Sequence, residues 1–204
     1  MSLFDLNGRV AIITGGNGGI GLGMALGLAN SGASIAIVGR NSEKNKTASK
    51  KLEATGVNVI AIEKDVTNDL AGTEVATEVQ NKFGRIDILI NNAGSNIRKR
   101  PEDLSLEEFR WVQDTNLTSA FVFSQAMYPH FKKVGGGKII NIGSMYSLFG
   151  GPVSTAYSVS KGGIVQMTKS MAAAWATDKI QVNAVLPGWI DTELTRTARE
   201  QIDG

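Results

Sequence analysis

Among its 204 residues the chain has no cysteine, one histidine and four prolines. Without cysteine there is no disulfide scaffold, no thiolate zinc site and no sulfur nucleophile, and the composition asks for no oxidising compartment. One histidine leaves little for a metal centre, and none is expected. His130, with no motif around it, reads as a helix-end residue. No apolar run approaches the ~20 residues of a membrane-spanning helix, and the first eight residues lack a basic region followed by an apolar segment. A soluble, cytoplasmic protein without membrane contact is the expectation. Charge is also unpolarised: 21 basic against 19 acidic residues, net +2, with no long block of either sign. Nucleic-acid binding is not expected. The densest basic run, Arg98, Lys99 and Arg100, reads by itself as a solvated loop.

Apolar residues make up 42% of the chain, enough for one sizeable core, and residues 1–204 are expected to form a single domain. Short β-branched runs alternate with amphipathic stretches. Strands are predicted over Arg9–Thr14, Ser34–Gly39, Val57–Ile62, Ile86–Asn91, Lys138–Gly143 and Gln181–Leu186, with helices between them. Uninterrupted apolar strands such as Ala11–Ile13 and Ile88–Ile90 suit a parallel sheet covered on both faces. The alternation argues for right-handed βαβ units and a doubly wound α/β sheet. Long helices are predicted over Ser105–Lys132 and Thr155–Asp178, the second with an apolar stripe of Ile164, Met167, Met171 and Trp175.

Three local patterns carry chemistry. The first strand runs into Thr14, Gly15, Gly16, Asn17, Gly18, Gly19, Ile20 and Gly21, where a helix begins. Glycines there let the backbone approach a pyrophosphate, and the helix presents free amides and its positive dipole end. Tyr157 and Lys161, at i and i+4, share one helix face, so an ammonium beside the phenol would favour its ionised form and bring its titration towards neutral pH. Taken alone such a pair is most often a solvated surface, and its weight comes from company. Ser144 lies thirteen residues before Tyr157.

The spacing Gly15, Gly19, Gly21 resembles the TGxxxGxG turn of the short-chain dehydrogenase/reductase family. The resemblance extends through Asn91, Asn92, Ala93 and Gly94, Asn116, Ser144, Tyr157 and Lys161, Pro187 and Gly188, to Thr192. It implies a Rossmann fold, a nicotinamide cofactor and a catalytic tetrad of Asn116, Ser144, Tyr157 and Lys161. In that scheme Tyr157 is the general acid in ketone reduction and the base in alcohol oxidation. Ser144 holds the substrate oxygen, Lys161 supports the phenolate, and Asn116 supports a water path to the lysine. Cofactor contacts are implied for Gly15, Asn17, Gly18, Gly19, Ile20, Gly21, Arg40, Asn41, Asp65, Val66, Asn92, Ala93, Gly94, Pro187, Gly188, Ile190 and Thr192, besides Tyr157 and Lys161.

An acidic residue closing the second strand would select NAD, but Gly39 stands there, followed by Arg40, which can pair with a 2′-phosphate. NADP(H) is favoured. Gly18, where many NADP-preferring members carry a basic residue, keeps NAD(H) open as well. The loop after Gly94 and the stretch Ser144, Met145, Tyr146 resemble members acting on sugar acids and polyols, gluconate 5-dehydrogenases among them. Tyr146, Arg98 and Trp189 join Ser144 as substrate-side candidates. The alternatives are a 3-oxoacyl-carrier-protein reductase and, from another class, a catalytically silent dinucleotide-binding scaffold or sensor. Members of the family continue past the point corresponding to Gly204 with a substrate-covering helix and a last strand, which are expected to be missing here. The family also implies a homodimer or homotetramer, paired through the helices carrying Trp111 and Trp175.

Overall fold

The computed structural model describes residues 4–193, 195 and 196. Six strands, β1 (Val10–Thr14), β2 (Ser34–Gly39), β3 (Val59–Glu63), β4 (Ile88–Asn91), β5 (Gly137–Ile142) and β6 (Ile180–Val185), form one sheet. Its order is β3-β2-β1-β4-β5-β6, and every pairing is parallel. The order reverses between β1 and β4, where an open α/β sheet leaves a crevice at the carboxyl ends of its strands.

Helices cover both faces: α1 (Gly19–Asn30), α2 (Ser42–Glu53), α3 (Ala71–Phe83), α4 (Leu106–Gln113), α5 (Ser119–Lys133) and α6 (Thr155–Trp175). One apolar cluster joins β-strand residues such as Ile13 and Ile37 to Ala25 and Ala29 of α1 and Ala48 and Leu52 of α2. A second joins Ile12, Val38 and Leu89 to Val75 and Val79 of α3, Phe123, Met127 and Phe131 of α5, and Met171 of α6. Alternate residues of one strand enter opposite clusters, as period-two side-chain alternation requires, so the sheet is buried on both faces. Among the described residues no helix is long and apolar enough to cross a membrane.

The helix predicted over Ser105–Lys132 is not continuous. It starts cleanly at a capping box between Ser105 and Glu108, then widens into a π-helical turn over Asp114–Thr118 before α5. The turn holds no proline or glycine, so nothing in its residues Asp, Thr, Asn, Leu and Thr marks a break in the helix. The helix predicted over Thr155–Asp178 ends its α-helical part at Trp175 and finishes in a 3₁₀ turn over Ala176–Asp178. Its apolar stripe enters the core: Ile164 and Met171 are buried, with Met167 and Trp175 packed against the cluster. His130 stands in the last turn of α5, its Nδ1 3.2 Å from Gln80 Oε1.

Candidate active site

The carboxyl ends of β1 and β4 are tied together before any ligand is considered. Thr14 Oγ1 accepts from the backbone amides of Asn92 (3.0 Å) and Ala93 (3.1 Å). Asn92 Nδ2 in turn donates to the carbonyls of Thr14 and Gly15, both at 3.0 Å. This close approach is what the glycines permit. A Cβ on Gly21 would run into Gly15 O and Asn92 Nδ2, and Gly15 and Gly19 adopt φ of +63° and +49°, values that side chains disfavour. Gly21 therefore packs the turn, while Gly15, Asn17, Gly18 and Gly19 line a cleft of about 310 Å³.

The glycine turn fits a dinucleotide pyrophosphate. No side chain caps the amino end of α1, which leaves its first amides and dipole for an anion, and a Cβ on Gly18 would meet open space. Asn17 is aimed by a residue the sequence reading missed: its Nδ2 donates to Oδ1 of buried Asn45 at 2.7 Å, and Asn45 Nδ2 donates to Gly39 O at 2.9 Å. A Cβ on Gly39 would collide with Asn17 Nδ2. The place where an NAD-selecting carboxylate would begin is thus filled by an asparagine pair.

Arg40 Nη1 lies 3.5 Å from Asp65 Oδ2 in an exposed pair. Asp65 Oδ1 accepts from Thr67 N (2.9 Å) and Oγ1 (2.8 Å). Burial pushes this carboxyl up, but the Thr67 hydrogen bonds and Arg40 outweigh it, and it lies below its ordinary range. Val66 belongs to the core and lines neither cleft. Asn41 caps α2, its Oδ1 accepting from Lys44 N at 2.9 Å.

The second group of residues gathers where β5 ends and α6 begins. Ser144 opens a 3₁₀ turn over Met145–Ser147, its Oγ accepting from Tyr146 N at 3.2 Å. Ser147, another residue missed from sequence, accepts from Ser144 N (3.1 Å) and donates to Lys161 O (2.7 Å), fixing the turn against α6. Tyr146 lies edge-on to Tyr157 with ring centroids 6.1 Å apart. Ser144, Tyr157, Pro187 and Gly188 line both the smaller cleft and an adjoining one of about 760 Å³, whose wall also includes Arg98, Tyr146 and Trp189. Lys161, Ile190 and Thr192 line the smaller cleft.

Lys161 is 4% exposed, and its Nζ donates to Ile142 O at 2.7 Å while standing 5.6 Å from the Tyr157 ring centre. Burial pushes its pKa down to about 8. Burial pushes the Tyr157 phenol up, a hydrogen bond with Ser144 pulls it partly back, and Tyr146 adds to the rise. The sequence expectation has Lys161, together with a positive nicotinamide, favouring the phenolate; in the chain by itself the shift runs the other way. In the protein by itself, withdrawal from water outweighs the ammonium, which is spent on the Ile142 carbonyl.

Asn116 lines neither cleft. The π-helical turn buries it behind Gly94, where its Oδ1 accepts from Ser95 N (2.8 Å) and its Nδ2 donates to Ser95 O (2.9 Å) and Ser160 Oγ (3.0 Å). Ser160 Oγ donates to Tyr157 O at 2.7 Å. A Cβ on Gly94 would stand 3.3 Å from Asn116 Oδ1 and 3.4 Å from Lys161 Nζ, so only a small residue leaves that passage clear. π-helical turns concentrate at functional sites.

A doubly wound sheet with a glycine turn at its switch point and a buried lysine beside a tyrosine and a serine defines a dinucleotide-dependent oxidoreductase. Residues 9–203 match the model of the short chain dehydrogenase family. The chain is 37% identical over 193 residues to gluconate 5-dehydrogenase of Gluconobacter oxydans (strain 621H), covering 95% of this chain and 75% of the relative. A solved structure described as an NAD(P)-dependent gluconate 5-dehydrogenase from Beutenbergia cavernae, with NADP at low occupancy, superposes with a TM-score of 0.92 at 34% identity, covering 99% and 80% of the two chains. NAD⁺-bound xylitol dehydrogenase superposes at 0.93 with 32% identity, covering 99% and 77%. The chain belongs to the short-chain dehydrogenase family of nicotinamide-dependent oxidoreductases.

Proposed function

We propose that the protein interconverts a secondary alcohol of a sugar acid and the corresponding ketone, with NADP(H) preferred over NAD(H). Residues 1–204 act in this reading as one domain carrying both cofactor and catalytic groups. The observation that carries it is the convergence of Ser144, Tyr157 and Lys161 on the cleft that begins at the glycine turn. When bound there, the nicotinamide ring exchanges the hydride, which no side chain can do.

The remaining work falls to this chain's side chains. Tyr157 gives its hydroxyl proton to the carbonyl oxygen in reduction and takes the alcohol proton in oxidation. Ser144, set by its own 3₁₀ turn, holds the same oxygen and stabilises the charge gathering on it. Lys161 supplies positive charge at the foot of Tyr157. Asn116 fixes Ser95 and Ser160 around that lysine and supports the path by which the proton reaches water.

Two features support the finer assignments. Gly39 presents no carboxylate to repel a 2′-phosphate, and the long, exposed Arg40–Asp65 pair opens at little cost. In the basic run, Lys99 is paired with Glu108 and Arg100 with Glu102. Arg98 lines the larger cleft and has no acidic partner among the described residues. It is placed to grip a substrate carboxylate. The test is nicotinamide absorbance with gluconate-type acids and the polyols of the same carbon skeleton. Faster turnover of the acids, with NADP⁺ above NAD⁺, is expected, and equal turnover of acid and polyol would refute the sugar-acid assignment.

A further inference from the structure

One ion pair crosses the cofactor cleft. Lys44 Nζ lies 2.7 Å from Glu193 Oε2, between residues 149 positions apart in sequence. Both residues line both clefts. Lys44 stands in the first turn of α2, four residues after Arg40, at the β2 end where an adenine ribose is read in doubly wound folds. Glu193 belongs to the segment that follows β6. That segment is folded over the glycine turn, since a Cβ on Gly19 would stand 3.3 Å from the Thr192 methyl group. The Lys44–Glu193 pair therefore fastens the β6 end of the cleft to its β2 end, over the groove that the dinucleotide would occupy.

The fastening is weak by construction, because both side chains are at least half exposed and solvent screens such pairs. A phosphate monoester carries about −1.5 to −2 charges at pH 7 and three acceptor oxygens, against one charge on Glu193. The geometry points to Lys44 as a shared cation: Glu193 holds it until a dinucleotide bearing a 2′-phosphate takes it, so that Lys44 joins Arg40 in reading the phosphate and Glu193 acts as its competitor. Binding of NADP(H) then unfastens residues 190–193 from α2, whereas NAD(H), lacking the phosphate, leaves the pair closed. The inference rests on the dinucleotide reading of the cleft and adds to it a specificity residue, with a competitor that sets how strongly the phosphate is preferred.

Equilibrium titration of NADPH and NADH, followed by nicotinamide fluorescence and independent of turnover, separates the roles. Lys44→Ala is expected to weaken NADPH about tenfold and leave NADH within about twofold, the loss of one charge-assisted contact. Glu193→Gln is expected to tighten NADPH by a few-fold, the scale of one exposed ion pair, and to have no effect on NADPH in the Lys44→Ala background. Equal losses for both cofactors in Lys44→Ala, or unchanged NADPH affinity in Glu193→Gln, would overturn the shared-cation role while leaving the dinucleotide site intact. Failure of the unsubstituted protein to bind either cofactor would overturn both.

Discussion

Lys161 spends its ammonium on the Ile142 carbonyl, at 2.7 Å, while its charge lies 5.6 Å from the centre of the Tyr157 ring. A cation buried in this way is a cost to the fold, and the role proposed for it at the site accounts for that cost. Its pKa falls from 10.5 to about 8, so between those values the unfolded chain binds the proton that the folded chain has released. Stability attributable to Lys161 therefore rises with pH across that window and is lowest below it, where both states are charged. Lys161→Met should raise the melting temperature at pH 7 by several degrees, and the gap to the original protein should shrink as pH climbs from about 8 to 10.5. The contribution of Tyr157, whose pKa is raised above 10.0, has the opposite sign and enters only beyond that value. Thermal melts across the range check this; a constant gap would contradict it.

Gly39→Asp tests the asparagine pair. In a fold where this position merely lacked a carboxylate, the substitution would create an NAD site. Here the new side chain must displace Asn17 from Asn45, and overpacking of this sort typically costs about 1–3 kcal/mol. A lower melting temperature and weaker binding of both cofactors are expected by calorimetry and titration. Tighter NADH binding at unchanged stability would show the site to be adaptable.

Arg98→Ala should raise KM for an anionic sugar acid about tenfold or more with kcat little changed, since it removes a binding contact made equally in ground and transition states. The neutral polyol should not respond. Indifference of both substrates in steady-state kinetics would take Arg98 out of the site.

Leu106 of α4, Phe121 of α5 and Val159 of α6 leave large apolar surfaces in water, on the helices that the family likeness assigns to subunit pairing. A symmetric dimer or tetramer is expected by light scattering at micromolar concentration. A monomeric mass would contradict it.

The strands and the glycine turn were legible in the sequence because their causes are local. Ser34–Gly39 is an apolar β-branched run ending in glycine, and Gly15, Gly19 and Gly21 answer to contacts within one turn and its neighbour strand. The π-helical turn was not legible, because Asp114–Thr118 contains neither proline nor glycine to break a helix and differs from an ordinary one only in its hydrogen bonding. The supports of the site were hidden for a related reason. Asn45, Ser147 and the Lys44–Glu193 pair are ordinary residue types whose partners are set by the assembled sheet. Ser147 alone left a local trace, lying three residues after Ser144 in a serine cap. The direction of the Tyr157 shift depends on burial, which the Tyr-to-Lys spacing does not encode.

The central claim is that Tyr157 handles the proton, and Tyr157→Phe tests it most directly, because the ring and its packing against Tyr146 remain. Single-turnover reduction of a keto sugar acid with NADPH should slow by about 10²–10⁴, the usual worth of a positioned acid, with NADPH affinity within about twofold of the original protein. Near-original turnover in that variant would contradict the account.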